Sequence, residues 1–356
     1  MKEIIKAIEK LSTRLMRQVN LMEVCGTHTV SIFKNGIRSI LPSNIKLLSG
    51  PGCPVCVTPV QDIDRILYIA GQPDVILATF GDMMRVPGSN GSFYKAKAEG
   101  LDVRIIYSPL EALNIAEQNK DKKIVFFAVG FETTSPSIAA TVFEAERLGV
   151  ENFYIYSVHK LVPPALEVLL NTEELRLDGF ILPGHVSTII GSKVYEFIPL
   201  KYKKACVVAG FDADDILQAI VMLLRQIVKG KPVVEIQYRE AVRQEGNPRA
   251  IEFIYRYFEV CDSNWRGIGV IPKSGLKLRK EYSHRDAETV FDIPEIKSRE
   301  PMGCQCGLVL RGLKTPPECP LFAKICTPEN PAGACMVSSE GTCAAYYKYE
   351  RFGTKL

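Results

Sequence analysis

The chain has 356 residues, 47% of them hydrophobic and 24% charged, with a formal net charge of +4. This composition is typical of a globular protein with room for two or three hydrophobic cores. The small and dispersed charge does not indicate a nucleic-acid partner, and no apolar run approaches the eighteen residues of a membrane span. The N-terminus also lacks a secretory signal pattern. We therefore expect a cytoplasmic protein whose thiols stay reduced.

The predicted elements alternate between helices and short apolar strands. Within residues 1–20, the spacing of Ile4, Ile8 and Leu11 predicts one amphipathic helix. Strands are predicted at 46–49, 75–80, 103–107, 124–129, 153–157, 179–182 and 206–209. Helices are predicted between and after them, at 63–70, 109–118, 138–148, 163–170 and 214–228. Such alternation is typical of an α/β protein with parallel sheets covered by helices.

A short pattern recurs in which an apolar strand leads through glycine to an acidic residue. It occurs at 76–82, 126–132 and 207–212. The repeat favours two similar parallel-sheet α/β domains, at 21–120 and 121–238. The remainder, 239–356, is rich in proline, glycine and cysteine and predicts a loop-rich iron–sulfur domain, against which the helix in 1–20 could pack. Because open α/β sheets bind ligands at the carboxyl ends of their strands, we expect functional residues in the strand-end loops.

The first candidate site lies in residues 22–29, which we predict to be a short loop after the first helix. This segment carries Cys25 and His28. A cysteine and a histidine three residues apart can coordinate one metal, or His28 can lower the pKa of the Cys25 thiol. The alternative is a buried structural cysteine beside a capping threonine, and the motif taken alone favours that alternative.

The second candidate site is the C-P-V-C motif formed by residues 53–56. It is predicted at a strand-to-helix turn, and Cys53 and Cys56 have the spacing of a dithiol or disulfide pair. The N-terminus of the following helix would favour a thiolate there. The alternative is half of a zinc site, but the chain contains no second C-x-x-C to complete one. We interpret the motif as a redox or metal-transfer pair.

Two other strand-end loops each supply a carboxylate. Asp82 lies in the loop 80–88 with an arginine, and Glu132 lies in the loop 130–136 with several hydroxyl groups. We regard both carboxylates as candidate functional residues, although ordinary helix capping would also explain them. Neither loop contains a phosphate-binding glycine pattern.

The densest cysteine segment lies near the C-terminus and contains no histidine. It holds six of the eleven cysteines, Cys304, Cys306, Cys319, Cys326, Cys335 and Cys343. Several thiolates from one irregular segment are what an iron–sulfur cluster requires. Structural zinc usually takes short C-x₂₋₄-C hairpins, and a disulfide scaffold requires an oxidising compartment. The residues therefore favour a cluster, with zinc and purely structural or redox thiols as alternatives.

Four motifs together resemble the HypD family of [NiFe]-hydrogenase maturation proteins. They are C-G-T-H-T at 25–29, G-P-G-C-P-V-C-V-T-P at 50–59, G-F-E-T-T at 130–134 and the cysteine-rich end at 336–347. The resemblance runs from about residue 21 to 350 with the motifs in the family's order. The resemblance is specific because four separate motifs carry it.

The resemblance implies a scaffold that builds the Fe(CN)2CO group of [NiFe] hydrogenases. In this family a small partner, HypC, helps to hold the iron, and HypE with HypF supplies cyanide. The finished group then passes to the hydrogenase large subunit. Cys25 matches the position that ligates the iron, with His28 beside it, and Cys53 and Cys56 match a redox-active pair.

The family's cluster pattern, Cys-x14-Cys-x6-Cys-x16-Cys, implies a [4Fe-4S] cluster on Cys304, Cys319, Cys326 and Cys343. Cys306 and Cys335 then remain as a second thiol pair, an arrangement similar to ferredoxin-thioredoxin reductase. Electrons would pass from the cluster through both thiol pairs to the iron at Cys25. The alternative function is a cluster-dependent reductase of protein disulfides.

Overall fold

The computed structural model describes residues 1–350 and confirms an α/β protein with parallel sheets. Its strands carry the labels β1 to β11 in chain order. They are β1 Val19–Glu23, β2 Ile45–Ser49, β3 Val75–Phe80, β4 Val103–Ile106, β5 Lys123–Ala128, β6 Phe153–Ser157, β7 Gly179–Pro183, β8 Ala205–Ala209, β9 Val234–Ile236, β10 Phe258–Trp265 and β11 Gly269–Leu278.

Helices lie between and around the strands. The α-helices are α1 Lys2–Ser12, α2 Gly26–Lys34, α3 Ile37–Ile40, α4 Pro54–Val57, α5 Val60–Ala70, α6 Phe93–Ala98, α7 Pro109–Gln118, α8 Ser135–Leu148, α9 Val162–Leu170, α10 Gly184–Ile190, α11 Ala213–Lys229, α12 Pro248–Tyr257, α13 Ala287–Val290, α14 Cys306–Leu310 and α15 Thr342–Tyr349. Short 3-10 turns occur at Gly81–Arg85, Lys193–Tyr195, Lys280–Arg285, Pro316–Glu318 and Ala334–Met336, and a π turn at Ile198–Tyr202. All the predicted helices and strands are present.

The strands form two parallel sheets and one antiparallel pair. The first sheet has the order β2-β1-β7-β8-β9, and the second has the order β4-β3-β5-β6. Strands β10 and β11 pair antiparallel with each other. The central strands β5, β7 and β8 are almost entirely buried, as expected for apolar strands with helices on both faces. The sequence did not predict β1, β9, β10 or β11.

Strand pairing does not follow the two halves expected from the sequence repeat. In the second sheet, β3 pairs with β4 on one side and with β5 on the other, so the expected boundary after residue 120 falls inside this sheet. In the first sheet, β1 pairs with β7, which joins the start of the chain to residues beyond 178. The repeated pattern marks strand ends, but it carries no information about which strands become neighbours.

The two ends of the chain also pack differently from the expectation. Helix α1 packs on α11, where Ile8 shares a hydrophobic cluster with Ile216 and Ile220, rather than on the C-terminal region. In the region after 238, α12 packs on α8 and β11 packs on α9. Tyr257 and Leu276 therefore share a core with the second sheet, while the segment after α13 is largely irregular.

Across residues 1–350, none of the helices combines the length and the hydropathy that a bilayer crossing requires.

Candidate metal and thiol site

The position of Cys25 is determined by the end of β1 and the start of α2. Cys25 has an extended backbone and is the N-cap residue of α2, so His28 lies in a helix rather than in the predicted loop. The Gly26 N–H donates to the Gly52 carbonyl at 3.0 Å. A side chain at Gly52 would collide with the backbone of Cys25, so only glycine allows this approach. The backbones that carry Cys25 and Cys53 are thus held against each other.

Cys25 faces a cleft of about 560 Å³ between the carboxyl ends of the two sheets. Asp82 reaches the cleft from the end of β3, Thr134 from the end of β5 and His185 from the end of β7. Glu340 lines the cleft from the cysteine-rich segment, and its Oε1 accepts a hydrogen bond from the Thr27 hydroxyl at 2.8 Å. The expected location of a site at the strand ends agrees with this geometry.

His28 does not serve as a charged partner of the Cys25 thiol. Its Nε2 lies 2.9 Å from the Gly210 carbonyl oxygen, and its ring stacks on Phe211. Burial lowers the pKa of His28 to about 4 and raises the pKa of Cys25 to about 12. The His28 imidazole therefore does not supply the charge expected to lower the pKa of Cys25, although a hydrogen bond from the His28 backbone acts to lower it. A bound metal cation would provide the charge that favours a thiolate.

Glu23 is a buried carboxylate beside Cys25 that the sequence reasoning missed. Its Oε2 accepts a hydrogen bond from the Cys25 N–H at 3.2 Å, and its Oε1 accepts one from the Thr29 hydroxyl at 2.6 Å. Burial raises the pKa of Glu23 to about 7. A carboxylate two residues before a strand-end cysteine was the available signal. Glu23 ties the end of β1 to the first turn of α2.

The two predicted strand-end carboxylates occupy different environments. Asp82 is exposed in the cleft and accepts a hydrogen bond from the Ser338 hydroxyl at 3.2 Å. Glu132 is buried, and its Oε1 accepts a hydrogen bond from the Val162 N–H at 2.9 Å. Burial raises the pKa of Glu132 to about 7. Phe131 and Thr133 line the cleft, but Glu132 is not among the lining residues.

Cys53 precedes the single turn of α4, and Cys56 lies within it. Cys53 is the N-cap residue, and its Sγ accepts a hydrogen bond from the Cys56 N–H at 3.2 Å. Both cysteines are buried. Burial raises the pKa of Cys56 well above the ordinary value of a thiol, so the expected preference for a thiolate at this turn is wrong for Cys56. The predicted strand-to-helix turn itself is present between β2 and α5.

The six C-terminal cysteines come together around one small cavity. Its lining includes Cys304, Cys306, Cys319, Cys326, Cys335 and Cys343. Cys326 Sγ accepts a hydrogen bond from the Ala332 N–H at 3.3 Å, and Cys319 Sγ lies 3.9 Å from the Gly303 carbonyl. Within 1–350, the side chains of His, Cys, Asp and Glu form no ready-made metal site of three or more ligands. The sulfurs surround the cavity without closing on a single ion.

The thiols of the two cysteine motifs form a continuous series of contacts. The Cys56 thiol lies 4.0 Å from the Ala334 carbonyl and close enough to Cys53 and Cys335 for these thiols to raise its pKa. Cys335 in turn reaches Cys306 and Cys343. No spacing in the sequence indicates the contact between Cys56 and Cys335, which are far apart along the chain. The remaining two cysteines lie elsewhere, Cys206 buried in β8 and Cys261 half-buried on β10.

Comparison with known proteins places the chain in one family. A family model described as "HypD: Hydrogenase formation hypA family" matches residues 1–350. The hydrogenase maturation factor HypD2 of Bradyrhizobium diazoefficiens is 48% identical, over 93% of this chain and 89% of its own. A putative hydrogenase expression/formation protein of Methanocaldococcus jannaschii is also 48% identical, over 98% of this chain and 97% of its own. The hydrogenase maturation factor HypD of Cupriavidus necator is 44% identical, over 98% and 94%. The chain belongs to the HypD family of hydrogenase maturation factors.

Proposed function

We propose that this protein holds, at Cys25, the iron that becomes the Fe(CN)2CO group of a [NiFe] hydrogenase. The observation that carries the proposal is that Cys25 is the sole cysteine among the described residues lining the large cleft. A single thiolate anchors a low-spin iron and leaves its other coordination positions open for cyanide, CO and a sulfur from a HypC-type partner. The protein would work in the cytoplasm, where thiols stay reduced.

The walls of the cleft suit an iron cargo. Asp82 and Glu340 provide carboxylates on the cleft wall, which attract a divalent cation before it acquires anionic ligands. Val24, Phe131 and Val186 provide apolar surface around Cys25, which limits the access of water to the iron. An open cleft also allows HypE, with HypF, to supply cyanide and allows the finished group to leave toward the hydrogenase large subunit.

We further propose that the C-terminal cavity holds a [4Fe-4S] cluster as a resident cofactor. The donor set fits, because six thiols line the cavity and soft thiolates are the ordinary ligands of such clusters. Cys304, Cys319, Cys326 and Cys343 would hold it. A bound cluster supplies electrons one at a time.

The thiol contacts support an electron path between the cavity and the cleft. Oxidation of two thiols to one disulfide releases two electrons and two protons. Cys306 and Cys335 would form one such pair, and Cys53 and Cys56 the other. The contact between Cys56 and Cys335 joins the two pairs. The Gly52 carbonyl accepts a hydrogen bond from the N–H of Gly26, the residue that follows Cys25. These contacts are suited to bringing electrons for ligand attachment to the iron.

Burial favours the scaffold over the alternative, a reductase of protein disulfides. The side chains of Cys53 and Cys56 are 3% and 0% exposed. A substrate disulfide has to meet the attacking sulfur directly. The closed environment of both sulfurs therefore suits an internal electron path better than attack on another protein.

Infrared spectroscopy of anaerobic protein copurified with its small partner tests the proposal. The expected result is a set of CN and CO stretching bands that disappears when the cyanide-supplying proteins are deleted from the host. Absence of these bands, combined with rapid reduction of an added protein disulfide, would replace the scaffold by the reductase.

A further inference from the structure

Arg266 is a buried cation that contacts the segments carrying both cysteine motifs. It follows the end of β10, and its residue is 2% exposed. Its backbone N–H donates to the carbonyl of Val57, the last residue of α4, at 2.8 Å. The next residue, Gly267, packs so closely on Gly307, beside Cys306, that a side chain at Gly267 would collide with it. Arg266 is thus fixed between the two thiol pairs.

The positive charge of the Arg266 guanidinium is only partly compensated by its neighbours. Its Nη2 donates to the Pro87 carbonyl at 3.1 Å, but its Nε and Nη1 are buried and have no hydrogen-bond partner among the described residues. Glu300 lies 3.4 Å from Nε, and the Glu300 side chain is 53% exposed. A buried charge is costly unless an anion compensates it. The arrangement therefore calls for a second, buried anion.

The C-terminal thiols are candidates for that anion. Glu300, which pairs with the Arg266 guanidinium, lies four residues before Cys304, and Gly307, against which Gly267 packs, directly follows Cys306. Glu300 lies at the surface and is screened by water, so it compensates the guanidinium weakly.

We propose that Arg266 is the counter-charge of the thiolate-bound cluster and raises its reduction potential. This inference rests on the proposed cluster in the cavity. Four thiolates already make the site anionic, and each electron that enters adds one negative charge. A fixed cation in a poorly screened interior stabilises the more negative, reduced state. Arg266 therefore acts as a positioning residue for charge rather than as a ligand.

The test is an anaerobic redox titration of the cluster-loaded protein, followed by electron paramagnetic resonance. Arg266→Met should shift the reduction equilibrium at least about tenfold toward the oxidised state, which is about 59 mV for one electron. Arg266→Lys, which keeps the charge, should recover part of the shift. Glu300→Gln removes the competing carboxylate and should move the potential the opposite way. Arg104→Gln, at a surface ion pair with Asp102, is the control and should change nothing.

The role of Arg266 would be overturned if the reduction potential is unchanged in Arg266→Met and Glu300→Gln proteins that contain normal iron and sulfide. The proposal that the cavity holds a cluster would then still stand. Absence of iron and sulfide from the wild-type protein would instead overturn the cluster itself. If Arg266→Met does not retain a cluster, the reduction potentials of Glu300→Gln and Arg266→Lys test the role of Arg266, because neither variant removes the buried cation. A higher potential in Glu300→Gln supports the proposal, and an unchanged one contradicts it.

Discussion

The cleft at Cys25 and the cavity at the C-terminal cysteines differ in size and in ligand supply. The cleft has a volume of about 560 Å³ and a single cysteine on its wall, whereas the cavity is far smaller and has six. A site that loads and releases a cargo has to leave coordination positions open, while a resident cofactor is held by protein ligands on all sides. The difference supports our proposal that one protein combines a transfer site with a permanent redox site.

The two sites are also built differently. Hydrogen-bonded strands of both sheets position the cleft, so its walls are rigid without any ligand. Short turns, α14 and α15 position the cavity, and the segment between α13 and α14 has no regular structure. The cavity should therefore depend on its ligand more strongly than the cleft does.

Loss of one cluster ligand should have the largest effect. Wild-type anaerobic protein should contain about four irons and four sulfides per chain, and Cys319→Ala should abolish both together with the visible absorption. Cys261→Ala, at a half-buried cysteine outside the cavity, should retain them. Stoichiometric zinc without sulfide in the wild-type protein would show that the cavity is not an iron–sulfur site.

Disruption of the Cys53/Cys56 pair should block function without emptying either site. Cys56→Ser should retain the cluster absorption but lose the reversible disulfide and the ability to mature hydrogenase, because the series of thiol contacts is broken at Cys335. Thiol trapping across a redox titration checks the disulfide, with Cys206→Ser as the buried-cysteine control. If Cys53 and Cys56 remain alkylatable in unfolded samples under every oxidant, the pair is structural.

The close approach of Gly52 to Cys25 should be intolerant of a methyl group. In Gly52→Ala the new Cβ would collide with the backbone of Val24 and Cys25, so we expect a loss of about 3 kcal/mol in the free energy of unfolding. Gly71→Ala is the matched control, since the nearest atom to its Cβ would be 3.5 Å away. Denaturant titration of both variants measures the difference. Equal stability of the two variants would mean that the two loops are not held together as described.

The buried Glu132 should make stability depend on pH. Its carboxyl group loses its proton near pH 4.5 in the unfolded chain but near pH 7 in the native state. The native state binds more protons in this range, so the wild-type protein loses stability as the pH rises from 4.5 through 7. Glu132→Gln lacks this penalty and should gain up to about 3 kcal/mol relative to wild type between pH 5 and pH 8.

Denaturant unfolding at pH 5 and pH 8 measures the effect of Glu132→Gln, with Glu117→Gln at an exposed position as the control. The same difference from wild type at both pH values would show that Glu132 does not titrate within this range in the native state.

Much of the fold could be predicted from periodicity. The buried strands β3, β5 and β8 are apolar except for Thr79 and Lys123, which is why their positions agree with the sequence prediction. Strand β1 was missed because Asn20 and Glu23 interrupt its apolar pattern, and β9 because it has only three residues. The pairing of β1 with β7 and of β3 with β5 depends on packing between distant segments, which local patterns do not encode.

The candidate site was predictable where its chemistry is local. The C-P-V-C spacing correctly places Cys53 and Cys56 side by side at a helix start. The raised pKa of Cys56 was not predictable, because it results from complete burial by residues distant in sequence. The same holds for the contact between Cys56 and Cys335. Glu23 and Arg266 escaped attention because their roles depend on neighbours that only the folded chain provides.

The most direct test of the account is to examine both sites in one anaerobic sample of Cys25→Ala copurified with its small partner. The account predicts about four irons and four sulfides per chain and unchanged visible absorption, because the cavity does not use Cys25. It also predicts that the CN and CO infrared bands are absent. Bands of wild-type intensity in this sample would contradict the account and place the iron elsewhere, with Cys53 and Cys56 as the next candidates.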